Sequence, residues 1–479
     1  MNPRHGCVPS RRSFLAGGLA AAVPRPGDAA ARRPNIILCM GDDHGWHETG
    51  YYDHPHLRTP ALDDMASRGV RFDRFYAAAP VCSPTRGSVM TGRHPNRYGT
   101  FAPNFSIRPE ERTLPRILRE AGYVCGHFGK WHLGPVKKGS PTNPGAMGFH
   151  HWFSHDNFFG FNPPLARDGA EPVRVPGESS EIVAREAIRF IREAAGAGKP
   201  FFAVVWFGSP HGPYAGMDED LIPFQNVKDE KFKHRYAEIT AMDRAIGALR
   251  RFLRDEKLSG DTLFWYNSDN GIPSDCVEGS RLRGSKGNLY ENGVRVPAVV
   301  EFPAMISKPL LTTVPAVTSD ILPTVCGLLD LPLPGRPLDG ISIVPLLEGR
   351  MKERPQPICF WQYDTGREAK ESPGPYLPDE AQRGTTPTSR VREIEFRNYR
   401  HPRARTGGFT GMAAVVDNRY KLVAPRKGPL ELYDIPADSR ETNNLAAQHP
   451  GLVAGMEKTL RAWQRSVEVS LTGADYKPL

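Results

Sequence analysis

Short apolar runs recurring between amphipathic stretches constrain this chain more than any other feature. Asn35-Ile36-Ile37-Leu38-Cys39-Met40, Tyr123-Val124-Cys125-Gly126-His127-Phe128, Phe201-Phe202-Ala203-Val204-Val205-Trp206 and Thr262-Leu263-Phe264-Trp265-Tyr266 read as buried strands. Among them, Thr113 to Ala121 behind a Thr cap, Ser180 to Ala195 and His234 to Leu253 have helical spacing. Strand and helix in alternation predict an α/β domain on a mostly parallel sheet. Val296-Pro297-Ala298-Val299-Val300 and a helix over Ser319 to Leu329 close it.

Polar residues gather just past the carboxyl end of each run. Asp42 and Asp43 follow the first, Lys130 and His132 the second, His211 the third, Asp269 and Asn270 the fourth. Open α/β sheets bind ligands beyond the carboxyl ends of their strands. Four chemically loaded loops are therefore expected to meet at one sheet edge.

A chain of 479 residues exceeds what one hydrophobic core usually fills. The α/β domain is expected over 32–353. Beyond it a Pro- and charge-rich stretch from Arg354 through Arg405 precedes short strands at Met412 to Val416, Tyr420 to Val423 and Leu430 to Asp434. A helix follows around Leu452 to Val467. Residues 354–479 thus read as a small α+β domain with an antiparallel sheet.

The N-terminus has its own texture. Ser10-Arg11-Arg12-Ser13-Phe14-Leu15 leads into the weakly apolar Ala16 to Val23, resembling a Tat export signal over 1–31. Ala29-Ala30-Ala31 would be its cleavage site, with the Tat translocase as partner and a periplasmic or extracellular destination. No other stretch approaches the roughly 18 apolar residues of a membrane span, so no stable membrane insertion is expected. Losing the signal lowers the formal charge from +9 to +6, a modest excess that favours anionic substrates in general. Without a dense Lys/Arg stripe and interleaved aromatics, nucleic acid is not indicated. Cys7 would leave with the signal. The remaining cysteines contain no C-x-x-C pair, so neither a zinc site nor a disulfide framework is expected.

Cys82-Ser83-Pro84-Thr85-Arg86 carries the most specific chemistry. Pro84 suits the first turn of a helix running through Thr91 to a stop at Gly92. Cys82 then lies at the helix's positive end, where backbone N–H groups favour an anion, with Arg86 one turn on along the same face. Asp42, Asp43, Asp269 and Asn270 make an all-oxygen set suited to calcium or magnesium rather than zinc.

With Gly87 and Thr91-Gly92-Arg93, the cysteine run resembles the signature of the type I sulfatases, in the alkaline phosphatase superfamily. Further blocks of that family occur in order: Asp42-Asp43, Gly129-Lys130-Trp131-His132-Leu133-Gly134, Ser209-Pro210-His211, Ser268-Asp269-Asn270-Gly271, Gly284-Ser285-Lys286-Gly287 and Tyr290-Glu291-Asn292-Gly293. Glu431-Leu432-Tyr433-Asp434 with Asn443-Asn444-Leu445 resembles its C-terminal domain. The resemblance implies an alkaline-phosphatase-like mixed sheet flanked by helices, plus the small antiparallel-sheet domain.

It also implies chemistry. Cys82 would be oxidised to formylglycine by a formylglycine-generating enzyme and hydrate to a geminal diol. One hydroxyl would attack sulfur and the other would eject sulfate by re-forming the carbonyl, a covalent route with built-in release. One Ca2+ ion would be held by Asp42, Asp43, Asp269, Asn270 and residue 82. Arg86 would position the diol, and Lys130 and Lys286 would contact sulfate oxygens. His132 would take the second diol proton, His211 or Lys286 would protonate the departing alcohol, and Asp269 would act as base for attack. Trp131 reads as a packing residue.

His150, His151, His155, Asp156 and Asn157, set among Phe149, Trp152, Phe153 and Phe158, form a candidate sugar pocket. The expected function is hydrolysis of a sulfate ester on a sulfated carbohydrate. The alternatives are a phosphonate monoester or phosphodiester hydrolase of the same superfamily, and a glycan-binding protein in which Cys82 stays a thiol.

Overall fold

The computed structural model describes residues 33–364, 374, 377–384, 396–397 and 408–476. The export-signal expectation over 1–31 and much of the Arg354–Arg405 stretch lie outside these residues. Pro34–Leu479 forms one compact unit holding two sheets.

The larger sheet is built outward from β1 (Asn35–Gly41), whose seven residues are all buried. β1 pairs in parallel with β7 (Phe201–Trp206) on one side and β8 (Thr262–Ser268) on the other. β3 (Val124–Lys130) and β4 (His151–His155) continue the parallel order beyond β7, and β5 (Pro164–Arg167) turns antiparallel against β4. Beyond β8, β9 (Arg295–Glu301) runs antiparallel and pairs with β2 (Val70–Tyr76). The expectation of a mostly parallel, mixed sheet is met. Ile36, Leu38 and Met40 enter one apolar core, while Ile37 and Cys39 enter another on the opposite face. Cover on both faces is why these strands lack polar alternation.

Helix boundaries follow local chemistry. Ser179–Gly196 is capped by the Glu178 carboxylate, and Glu230–Asp255 by Asp229, four residues earlier than its apolar spacing begins. Thr113 occupies the cap position of Leu114–Glu120 but does not cap it: its hydroxyl donates to the Met147 carbonyl instead.

The smaller sheet, β12 (Ile358–Tyr363), β13 (Gly411–Val416), β14 (Tyr420–Ala424) and β15 (Glu431–Asp434), is antiparallel throughout. Helix Pro450–Leu471 covers one face through Met456, Leu460 and Val467. The other face packs Phe360, Ala414 and Val423 against Tyr76, Leu289 and Val294 of the large sheet's surroundings. No helix among the described residues is long and apolar enough to cross a membrane.

Candidate active site

The carboxyl edge of the large sheet draws the expected loops together through backbone bonds. Asp42 N–H donates to Ser209 O at 3.0 Å, and Asp269 N–H to Gly41 O at 3.1 Å, tying the loops after β1, β7 and β8. Asp43, at φ 65°, donates its N–H to Asp269 Oδ1 at 3.1 Å. Gly129 has φ 99°, and a Cβ there would lie 1.9 Å from Trp206 O, so only glycine lets β3 deliver Lys130. Gly271 is pressed as closely on Asn292 O, seating the Asp269-Asn270 loop on the Asn292-Gly293 block.

Cys82 is the first residue of helix Cys82–Thr91, every residue of which is buried. No side chain caps this helix, so its first-turn amides face the site unclaimed by a cap. Cys82 Sγ lies 3.7 Å from Asp42 Oδ1. Burial pushes its thiol up to about 12, outweighing the pull of Lys130 and Lys286. Residue 82 therefore rests as a thiol, a poor nucleophile in that form.

Three cations answer three carboxylates. Arg86 donates from Nε and Nη2 to Asp269 Oδ2 at 3.1 and 2.7 Å, and from Nη1 to Lys130 O. Lys130 Nζ donates to Asp42 Oδ2 at 2.6 Å. Lys286 Nζ spans both oxygens of Asp43, at 2.6 and 2.8 Å. Burial works against the Asp43 charge, but Lys286 and His211 overcome it and hold that carboxyl below its usual range. Asp269 is held above its usual range, by burial first and the Asp42 charge second.

The two histidines differ in access. His132 is buried, its Nε2–H donating to Asn104 Oδ1 at 2.9 Å, while its Nδ1 has no partner. Burial, then Lys130 and Arg86, keep its ring neutral. The His211 ring stacks on Phe158 at 4.2 Å, its Nδ1–H donates to Gly212 O at 2.7 Å, and Nε2 stands 3.7 Å from Asp43 Oδ2. His211 and Lys286 side chains are 19% and 20% exposed, whereas Arg86, Asp42 and Lys130 are sealed.

Ligand atoms of Asp42, Asp43, Cys82 and His211 all lie within 4.8 Å of one another. Asn270 Nδ2–H donates to Asp43 Oδ1 at 2.7 Å, leaving Asn270 Oδ1 buried and without a partner. An orphaned carbonyl beside clustered carboxylates is the donor set a hard cation takes, so Asp42, Asp43 and Asn270 fit calcium or magnesium, while Cys82 Sγ and the His211 ring as they stand are softer donors at the margin of that set.

All the sequence-predicted site residues, Asp42, Asp43, Cys82, Arg86, Lys130, His132, His211, Asp269, Asn270 and Lys286, meet at this edge. Trp131 packs in the core, donating to Thr142 O. The His150–Asn157 patch does not stay together. His151–His155 is strand β4, so His150, beside Cys125, and the exposed His151 stand at its far end; only His155, Asp156, Asn157 and Phe158 reach the site side.

Two functional neighbours, Arg235 and Asn104, escaped the sequence reading. Arg235, fully buried on helix Glu230–Asp255, donates to Asp43 O at 2.7 Å and Pro210 O at 2.8 Å while pairing with Glu48. It thereby ties the Asp43 and His211 loops to a rigid element. Arg235 sits in the charged run Glu230-Lys231-Phe232-Lys233-His234-Arg235, which reads as solvated helix surface. Asn104 left only a Pro-Asn turn dipeptide as signal.

The family model Sulfatase matches residues 34–331. Arylsulfatase A of Bos taurus is 33% identical over 384 residues, covering 72% of each chain. N-acetylgalactosamine-6-sulfatase of Canis lupus familiaris is 31% identical over 394 residues, covering 73% of this chain and 71% of that one. A solved structure in complex with its substrate D-glucosamine-2-N,6-O-disulfate superposes with TM-score 0.71 at 19% identity, covering 91% of this chain and 98% of that chain. This chain belongs to the sulfatase family.

Proposed function

We propose that the chain removes sulfate from a sulfated carbohydrate, with Cys82 converted to formylglycine and one calcium ion held by Asp42, Asp43, Asp269, Asn270 and residue 82. As a sulfatase it is a sulfuric ester hydrolase. The observation that carries the finer reading is residue 82 itself. It is an unreactive thiol, 3.7 Å from Asp42 and ringed by three carboxylates and three cations. Charge so arranged does not overcome burial for a resting thiol, but it does much for an anionic group bound at a helix start.

Hydrated formylglycine would supply one hydroxyl to attack sulfur and a second whose proton loss frees sulfate; the cation would lower the charge cost of both. The remaining work belongs to the chain's own groups. Arg86, fixed by Asp269 and Lys130 O, holds its charge one turn along the helix from residue 82 and would offset negative charge that develops there. Lys130 and Lys286 present ammonium groups to sulfate oxygens. His132 accepts a proton at Nδ1, its lone unpartnered nitrogen. His211 and Lys286, the partly exposed members, face the side from which an alcohol departs, and either can return a proton to it.

The carbohydrate reading draws support from the sulfated aminosugar bound by the solved relative and the sulfated-sugar name of the canine one. Export by a Tat-type signal to the periplasm or beyond, and maturation by a formylglycine-generating enzyme, complete the proposal. Mass spectrometry of the Cys82 peptide from the native host tests it: an aldehyde in place of the thiol is expected, and unmodified cysteine would refute it. Rates on sulfate and phosphate esters of one alcohol provide the second test. A phosphodiester preferred by orders of magnitude would move the chain to the phosphonate and phosphodiester hydrolases.

A further inference from the structure

We infer that Asn104 is a positioning residue that fixes the tautomer of His132, leaving its Nδ1 as the proton acceptor inside the site. The inference rests on the sulfatase reading for its consequence, but not for its geometry.

An imidazole offers either nitrogen as base, and a site that needs one of them must specify which. Asn104 Oδ1 lies 2.9 Å from His132 Nε2. A carboxamide oxygen only accepts, so Nε2 carries the hydrogen. The opposite tautomer would set two lone pairs against each other. Nδ1 then holds the free lone pair, and it is buried without a partner. A buried acceptor left open is costly to fold around, so it marks a position where something else donates.

Asn104 is itself held from several sides. Its backbone is left-handed, at φ 67°, a conformation asparagine tolerates better than other side-chain-bearing residues. Asn104 N–H donates to Ser83 Oγ at 3.3 Å, so one residue touches both the neighbour of Cys82 and the base. From the C-terminal part of the chain, Arg397 N–H donates to Asn104 O at 2.7 Å. Phe396 lays its ring 6.2 Å from that of His132, nearly perpendicular, and is itself buried. The amide therefore has little freedom to swing away. When Nδ1 takes a proton from a hydroxyl, the O–H bond breaks, the N–H bond forms, and the ring becomes imidazolium. Asn104 Oδ1 goes on accepting the Nε2–H and steadies the new charge.

The test reads the tautomer directly. In 15N-histidine-labelled enzyme, proton–nitrogen correlations of His132, assigned by their loss in His132→Gln, should show hydrogen on Nε2 at neutral pH. Asn104→Gly keeps the left-handed backbone while removing the acceptor. It should lose the single tautomer and lower kcat roughly tenfold to a hundredfold, with KM within about twofold. Asn104→Asp retains an acceptor, should restore the Nε2–H pattern and should recover most of kcat. Hydrogen on Nδ1 in the wild type overturns the inference, as does a glycine variant with unchanged tautomer and kcat. Should the glycine variant fail to fold, the wild-type and aspartate spectra still decide. Because the spectra need no turnover, a wild type inert on sulfate esters would sink the sulfatase reading and leave the role of Asn104 to be read separately.

Discussion

Two of the buried charge clusters among the described residues are finished differently. At the joint between the sheets, Lys421 Nζ stands 2.9 Å from Glu291 Oε1 and 3.0 Å from Glu441 Oε1. Glu441 Oε2 accepts the Glu291 N–H at 2.7 Å, and Glu291 Oε2 accepts from Tyr76 at 3.1 Å and Arg295 at 3.4 Å. The Lys421 and Glu291 side chains are sealed from water; Glu441 Oε1 has the Lys421 ammonium at 3.0 Å but no hydrogen bond, so this cluster is closed to solvent rather than fully satisfied. The edge of the large sheet also pairs three cations with three carboxylates. There, however, Asn270 Oδ1 and His132 Nδ1 are left open, and Lys286 and His211 reach solvent. Burial and charge balance alone do not distinguish a brace from a site. Unused valence beside groups that reach solvent does.

If that distinction holds, changes at the edge should cost turnover and changes at the joint should cost stability. The largest expected effect is at residue 82. Cys82→Ala should abolish turnover while altering unfolding free energy by no more than about 1 kcal/mol, since it removes a small thiol from a rigid helix start. Rate assays and urea unfolding of the same preparation check both halves, and residual activity near wild type would remove Cys82 from its role. Thorough chelation comes next: turnover should vanish and return with calcium. Calcium at 100 times its dissociation constant should add about 2.7 kcal/mol to stability. An enzyme indifferent to chelation would mean that the open oxygen of Asn270 serves something other than a cation.

The same contrast explains what the sequence could reveal. β1, β7 and β8 were legible because sheets covered on both faces demand unbroken apolar runs, and the edge loops because their polar residues sit just beyond those runs. β2 was not legible: Val70-Arg71-Phe72-Asp73-Arg74-Phe75-Tyr76 is interrupted by charges, and its register shifts between Phe72 and Phe75. Arg74 is nonetheless buried, because it reaches the Asp417 and Asn418 carbonyls more than 340 residues away. Arg235, Asn104 and Lys421 were hidden for the same reason. Their partners, Asp43, His132 and Glu291, lie 192, 28 and 130 residues away, beyond the reach of any helix or strand period, and no local pattern announces such a pairing. The aromatic-histidine patch misled in the opposite sense, because adjacency in sequence became a full strand's length in space.

At the joint, Lys421→Met should remove the ammonium between Glu291 and Glu441, leaving Arg295 on Glu291 and no cation on Glu441, and lower stability by about 3–5 kcal/mol. The unfolding midpoint in urea reads this, while kcat of the folded fraction should stay within a few fold. A variant as stable as wild type would show that the closed cluster braces nothing. A large loss of kcat without loss of stability would erase the boundary drawn between the two clusters.

The smallest effect expected is on acid stability, and it also falls outside the catalytic edge. His94 accepts from Asn96 N–H and lies against Trp463 beside the small sheet. Burial drives it down to about 3, with Arg97 adding to that pull and Asp339 opposing. His54, which accepts from the Leu57 N–H at 3.0 Å, is lowered by burial to about 4. Both are neutral when folded, whereas in the unfolded chain they take up protons near pH 6.5. Their contribution is therefore complete above pH 6.5 and is lost as pH falls toward 4 and 3, by about 2 kcal/mol each at pH 5. His94→Gln should reduce proton uptake on unfolding at pH 5 by roughly one proton. Equal uptake in variant and wild type would show that His94 is charged in the fold, and that its surroundings are open to water in a way the sealed joint around Lys421 is not.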